Sequence, residues 1–423
     1  MKVLGIIAEY NPFHNGHKYH LQTSKELTGC DMVIVVMSGN FTQRGEPAIA
    51  DKWARAEMAL YCGADLVIEL PLAYAMGSAE YFAFGAVKLL ESLGIVDTLS
   101  FGSETGNLEH LSEIAAILTS EPIEYKNALK ENLSSGKSYP SARQKALSSY
   151  LKMKFGKDDL SNLLRSPNNI LGVEYLKALY RLNSSITPFT IGRVGNDHNY
   201  TELTGEISSA TSIRKLLSES SWQSAKELLQ SSVPNSSLSI LEREVELGRS
   251  LVLPSEFSSS ILSLLRKMSV EQIRSLPYLE NGLENRISYA AGKAGSYNEL
   301  LELICTKRYT NTRIQRILFS ALTGLTNNIF DAFNSAGGPA YIRILSLNIA
   351  GRRLLSSIRG KTALPVITKT ADFKTSSLPC VSEMIQLEAA ASDQYVLGYP
   401  NPLMRGSGSE FARNVIYRDK NSI

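Results

Sequence analysis

The feature that most restricts the fold of this chain is a series of short segments that are apolar at almost every position, each followed by a stretch with helical spacing. "KVLGIIA" (2–8), "DMVIVVMSG" (31–39), "ADLVIELP" (64–71) and "VDTLSFGS" (96–103) show it. A strand with one wet face alternates apolar and polar residues, so strands apolar throughout must be covered on both faces, as in parallel sheets. Between them the spacing predicts helices over 15–28, stopped by Gly29, and over 51–63, with Asp51 as cap and Gly63 past the end. Further helices follow over 77–93 and 107–119. The alternation specifies an α/β fold with a Rossmann-like parallel sheet. Residues 122–165 are polar and helical, with a basic stretch that carries tyrosines. Ser166 and Pro167 open another helix, 184–195 reads as one more strand, and "ISSATSIRKLL" opens a helix near 209. From about 221, leucines recur at helical spacing, while the last seventy residues show no clear pattern. Two domains are therefore expected, an α/β domain over 1–220 and a mainly α-helical domain over 221–423. That division suits a length of 423 residues, since single cores rarely grow far beyond about 250.

Composition narrows the setting. With 43% hydrophobic and 20% charged residues the chain is ordinary globular protein, and no apolar stretch reaches the roughly 18 residues that span a bilayer. Glu9 and the turn "NPFHNG" fall where a signal peptide needs small residues for cleavage, so the first apolar run is read as a strand. Cys30, Cys62, Cys305 and Cys380 lack paired spacing, which suggests neither disulfides nor a zinc ribbon and fits a reducing cytoplasm. The formal charge of +3 leaves the partner open.

Three of the five histidines stand together in "EYNPFHNGHKYH" (9–20). His14 and His17 share one face of a helix's first turn, where unpaired N–H groups and the helix dipole favour an anion. Gly16 removes a side chain where a ligand approaches the backbone, and Pro12 fixes the turn out of the strand. A position beyond the carboxyl end of the first strand is where such sheets bind ligands. His20 and His110 are read as structural or surface residues. Zinc would need a third ligand near the pair, and neither an H-E-x-x-H spacing nor a cysteine pair provides one, so no metal ligand is assigned.

"FHNGHKYHL" after a first strand resembles the H-x-G-H signature of nucleotidyltransferases and class I synthetases that adenylate substrates with ATP. Four longer stretches, "IIAEYNPFHNGHKYHL", "VVMSGNFTQRGEPAIADKWARAEMAL", "GADLVIELP" and "SPNNILGVEYLKAL", look like the bacterial tRNA(Met) cytidine acetate ligase family, and together they span most of the first 215 residues. The resemblance implies that 1–220 is the catalytic, ATP-binding domain. It also implies that Ile7, Ala8, Glu9, Tyr10, Asn11, Pro12, Phe13, His14, Asn15, Gly16, His17, Lys18, Tyr19 and His20 contact ATP, together with Gly102, Asn169 and Arg193. His14 and His17 would be the catalytic pair.

Gly102 ends the fourth strand, where it could pass the nucleotide or serve the turn. Asn169 could reach the ribose or cap its helix, and Arg193 is a planar donor fork suited to phosphate. "ISSATSIRKLL" resembles the family's I-S-S-T-x-I-R triphosphate clamp with Ala210 out of pattern, so Ser208, Ser209 and Thr211 could either clamp phosphate or cap a helix beside Arg214. In the long polar loop "SGNFTQRGEPAIADKWAR", Gln43, Arg44, Lys52 and Arg55 could contact phosphate or RNA, or be solvated. "QRGEPA" lacks the spacing of an acetyl-CoA pyrophosphate loop, so no acetyl-CoA site is assigned.

The resemblance further implies that acetate and ATP give acetyl-adenylate, and that the acetyl group passes to the wobble cytidine of elongator tRNA(Met). Magnesium would be held mainly by ATP phosphates. The helical domain, including "TKRYTNTRIQR" (306–316), would serve as RNA platform. An adenylyltransferase for a small phosphorylated metabolite and an RNA-binding protein that only senses ATP are the alternatives.

Overall fold

The computed structural model describes residues 1–137, 139–156, 159–193, 206–373 and 375–419. Strands β1 (Val3–Ala8), β2 (Met32–Ser38), β3 (Leu66–Leu70), β4 (Thr98–Ser103) and β5 (Thr187–Gly192) pair in parallel in the order β5-β4-β1-β2-β3. The last two residues of the strand expected over 184–195 lie outside the described residues. Helices α1 (Asn15–Thr28), α2 (Lys52–Tyr61), α3 (Leu72–Ala75), α4 (Ala79–Ser92) and α5 (Leu108–Ser120) fall between the first strands and after β4. They are followed by α6 (Ile123–Ser134), α7 (Tyr139–Phe155), α8 (Pro167–Arg181) and α9 (Ala210–Glu219). Gly29 ends α1 at a φ of 61°, and Asp51 caps α2 by accepting the Ala54 N–H at 2.8 Å.

The central strands β1, β2 and β3 each feed two cores. In β2, Ile34 and Val36 face one buried cluster, while Val33, Val35 and Met37 face another across the sheet. This two-sided burial is why the segments are apolar at every position.

The chain builds outward from β1 to β2 and β3, then crosses back to lay β4 on the other side of β1. The strand order thus reverses between β1 and β4, and a crevice opens there beyond their carboxyl ends.

Residues 222–335 are helical, as α10 (Trp222–Leu229), α11 (Asn235–Glu246), α12 (Ser258–Lys267), α13 (Val270–Arg274), α14 (Leu283–Lys293), α15 (Tyr297–Ile304), α16 (Asn311–Thr323) and α17 (Asn327–Ser335). The chain then returns to the sheet. β6 (Ile342–Asn348) lies antiparallel to β3, and β7 (Val366–Ile367) and β8 (Ile416–Arg418) both pair with β6. Helices α18 (Ile349–Arg359), α19 (Val381–Tyr395) and α20 (Ser409–Ala412) complete the chain. The sheet thus draws strands from both sides of the expected boundary at 220. Without β6, β3 would present an unpaired edge of buried residues.

Candidate active site

The crevice encloses about 500 Å³ and is lined by the ends of β1, β4 and β5, the first turns of α1, α8 and α9, the loop after β2, and α16. That volume suits a nucleotide-sized ligand. Its floor is the turn after β1. Tyr10 takes a φ of 49°, uncommon for a bulky residue, and its ring packs at 4.6 Å from Phe13 and 4.9 Å from His17. Asn11 fastens the turn to its surroundings. Its side-chain oxygen accepts the Ile49 N–H at 2.8 Å, and its carbonyl accepts from Arg214 Nη1 at 2.9 Å.

His14 is the N-cap of α1, and its ring stacks on that of His17 with centroids 3.7 Å apart. The His14 N–H donates to Nδ1 of His17 at 3.3 Å. His17 therefore carries its own proton on Nε2 and offers the crevice an N–H donor. Burial, then the neighbouring His14, Arg193 and His20, hold its pKa well below the ordinary imidazole value, so it is neutral at pH 7. A Cβ on Gly16 would stand 2.9 Å from Cε1 of His14, so glycine here makes room for the stacked rings. His20 bonds Ser100 Oγ through Nε2 at 3.2 Å, and burial with Arg193 lowers its pKa to about 4.

Opposite α1 stands the N-terminus of α9. Ser209 caps it by accepting the Ser212 N–H at 3.0 Å, and Ser208, Ser209, Ala210, Thr211 and Arg214 line the crevice. Arg214 pairs with Glu46 at 3.3 Å. The buried Nδ2 of Asn11 and Oγ1 of Thr211 have no hydrogen-bond partner among the described residues. Such groups are normally met by ordered water or a ligand. A third helix start, that of α8, is already taken: Glu104 accepts the Asn168 N–H at 3.0 Å and the Asn169 N–H at 2.7 Å. The starts of α1 and α9 remain on the crevice wall, where helix N-termini favour an anion.

Of the expected contacts, Ile7, Ala8, Glu9, Tyr10, Asn11, His14, Gly16, His17, Tyr19, His20, Gly102, Arg193, Gln43, Arg44, Ser209, Thr211 and Arg214 line the crevice. Others do not. Phe13 is core, Pro12 is buried in the turn, and Lys18 points to solvent. Asn15 donates to the carbonyls of Glu206 and Ser231 at 3.1 and 2.8 Å. Asn169 is buried and accepts the Thr105 N–H at 3.2 Å, while its neighbour Asn168 lines the site and accepts from Arg193 Nη1 at 3.2 Å.

Lys52 and Arg55 are corrected more sharply. Lys52 is fully buried, with Nζ 2.6 Å from both Glu69 and Glu410 and 3.4 Å from Glu388. Arg55 is equally buried and clamps backbone carbonyls of Glu9, Ser38, Gly39 and Ala50. Polar spacing in a loop cannot distinguish a solvated charge from one buried among partners that lie hundreds of residues away.

Two lining residues come from the helical region, Thr312 and Arg316 of α16. Arg316 Nε donates to the Gln43 carbonyl at 2.8 Å, and a Cβ on Gly45, where φ is 73°, would collide with the Arg316 backbone. This close approach brings α16 against the loop. Arg316 was visible in the sequence only as part of a basic segment. Phe82, Phe101 and Tyr175 add an aromatic wall suited to a purine.

An anion seat between two helix starts, at the switch point of a parallel sheet, is the site of a nucleotide-binding α/β transferase. Residues 1–409 match the model of the HIGH Nucleotidyl Transferase family. The tRNA(Met) cytidine acetate ligase of Acetivibrio thermocellus is 52% identical over 98% of this chain and 100% of its own length. That of a Thermoanaerobacter species is 47% identical over 96% and 98%. The crystal structure of Thermotoga maritima TmcAL bound with α-thio ATP superposes with a TM-score of 0.93 at 38% identity, over 99% of this chain and 100% of that one. The chain belongs to the HIGH nucleotidyl transferase family and, within it, to the tRNA(Met) cytidine acetate ligases.

Proposed function

We infer that this protein is an ATP-dependent ligase that activates acetate as acetyl-adenylate and passes the acetyl group to the exocyclic amine of the wobble cytidine of elongator tRNA(Met). The observation that carries the reading is the stacked His14–His17 pair at the α1 start facing the α9 start, at the β1/β4 switch point. In the first step a carboxylate oxygen of acetate attacks the α-phosphorus and pyrophosphate leaves. In the second, the cytidine amine attacks the acetyl carbon and AMP leaves. Neither needs a protein nucleophile, so positioning and stabilisation of phosphate charge supply the rate. His17 Nε2–H and Arg214 would steady the charge that builds on the departing pyrophosphate. The orphan groups of Asn11 and Thr211 would bond phosphate oxygens. The aromatic wall would hold the adenine, with Gly102, Arg193 and Asn168 at the nucleoside end.

Among the described residues no group of three metal-ligating side chains could hold an ion. Magnesium, which would neutralise triphosphate charge, is therefore expected to arrive on ATP oxygens and water. The helices over 222–335 are the proposed tRNA platform. Thr312 and Arg316 are where that region touches the ATP crevice. No helix among the described residues is long and apolar enough to cross a membrane, and the four cysteines are free thiols, as in a reducing cytoplasm.

The test is acetate-dependent ATP–pyrophosphate exchange, then transfer of labelled acetate to unmodified tRNA without acetyl-CoA. His17→Ala is expected to cut exchange about 100-fold, the usual effect of losing one transition-state donor. A folded, ATP-binding wild type that exchanges nothing with acetate would overturn the reading in favour of a metabolite adenylyltransferase.

A further inference from the structure

One residue of the crevice has chemistry that the adenylation step does not use. Among the described residues that line it, Glu9 is the one carboxylate, in company with Arg44, Arg193, Arg214, Arg316 and three histidines. A carboxylate costs affinity in a seat for a polyanion, so its presence calls for another task. It follows β1 directly. Its Oε1 accepts the Gln43 N–H at 2.7 Å, which fixes the group on the side of the crevice closed by the loop after β2 and by α16. That is the side where the helical region reaches the site, since Arg316 of α16 donates to the Gln43 carbonyl. Arg55 holds the Glu9 carbonyl, so both the backbone and one side-chain oxygen are anchored while Oε2 keeps its accepting capacity.

The second half-reaction needs such a group. The exocyclic amine of cytosine is a poor nucleophile and must lose a proton as it attacks. His17 is unsuited to take it, since Nδ1 is engaged by the His14 N–H and Nε2 bears hydrogen. His20 uses its Nε2 on Ser100.

We propose that Glu9 is the general base of acetyl transfer, seating the cytidine amine through Oε2 and taking its proton. The bond from the amine nitrogen to the acetyl carbon forms, the bond from that carbon to the phosphate oxygen of the adenylate breaks, AMP leaves with the electron pair, and the amine proton resides on Glu9 until solvent takes it. The proposal rests on the ligase reading above.

The test separates the two half-reactions in the full-length protein. Synthetic acetyl-adenylate and unmodified tRNA(Met) transcript give the transfer rate in a single turnover, and ATP–pyrophosphate exchange with acetate gives the activation rate. Glu9→Gln keeps the size and the acceptor for Gln43, and is expected to slow transfer about 100-fold, well beyond its cost to exchange. Glu9→Asp, which keeps the base but shortens it, recovers part of the transfer rate. Equal losses in exchange and transfer, or a Glu9→Asp protein that transfers no faster than Glu9→Gln, would overturn the assignment and place Glu9 with the nucleotide or its magnesium. Failure of the wild type to exchange pyrophosphate with acetate would instead sink the parent reading.

Discussion

At the scale of single residues the site depends on neutrality and room. The ring of His14 occupies the space a Cβ on Gly16 would need, 2.9 Å from Cε1, while the backbone there suits any residue. Gly16→Ala should therefore leave the fold nearly as stable as wild type but displace the stacked pair, raising the ATP KM about tenfold, a shift that ATP titration and a urea melt measure together. A melting loss equal to a core substitution would contradict this. His20 gives the pH dependence. Its folded pKa of about 4 lies below the value of 6.5 for a free imidazole, so between these values the unfolded chain binds more protons. Stability thus rises with pH across this window and is lost as pH falls through it. From pH 7 to pH 5 this one group removes about 2 kcal/mol. The drop in urea stability between those pH values should shrink by that amount in His20→Asn, and an unchanged drop would show that the ring is not held neutral.

At the scale of elements, what could be read from the sequence followed local chemistry. The strands β1 to β4 were legible because burial on two faces demands apolar residues throughout, and α1 and α2 because Gly29 and Asp51 punctuate them. The histidine turn was legible for the same local reason. For Asn169 the sequence left ligand contact and a structural role open, because either amide in "SPNN" could face a ligand from a first helical turn. Glu104, sixty-odd residues away, takes both backbone N–H groups, and Asn169 turns back to Thr105 while Asn168 meets Arg193. Ser209 was open between clamp and cap, and it caps α9 while remaining on the crevice wall. β6 was missed although "IRILSLN" is buried at all seven positions. A single short apolar run amid helices has no neighbouring strand pattern to identify it, and its partner β3 lies some 270 residues earlier.

At the scale of the whole molecule, the early and late parts of the chain are joined beside the loop after β2 by buried charge. Burial works against the ammonium of Lys52, but Glu410, Glu69 and Glu388 surround it and hold its pKa above the ordinary lysine value. Burial, with Glu388 beside it, pushes Glu69 far up, whereas Lys52 and Arg343 outweigh the burial of Glu410 and hold it down. The cluster ties α2 and β3 to α19 and α20. It extends to the loop itself, because Asn40 accepts the Lys52 N–H at 2.9 Å and donates to Ser392, which bonds Glu410 at 3.1 Å. Lys52→Met would leave these carboxylates buried without their central cation. Breaking a buried pair from one side costs about 3–5 kcal/mol, far more than the pair itself contributes against a hydrophobic substitute. Urea denaturation at pH 7 should show that loss. The deficit should narrow on acidification, because carboxylates deprived of the ammonium titrate at higher pH and escape their cost by taking up protons. A Lys52→Met protein within 1 kcal/mol of wild type at pH 7, by the same extrapolation, would mean that the carboxylates already carry protons in the native fold. The early and late parts of the chain would then be held together by packing alone.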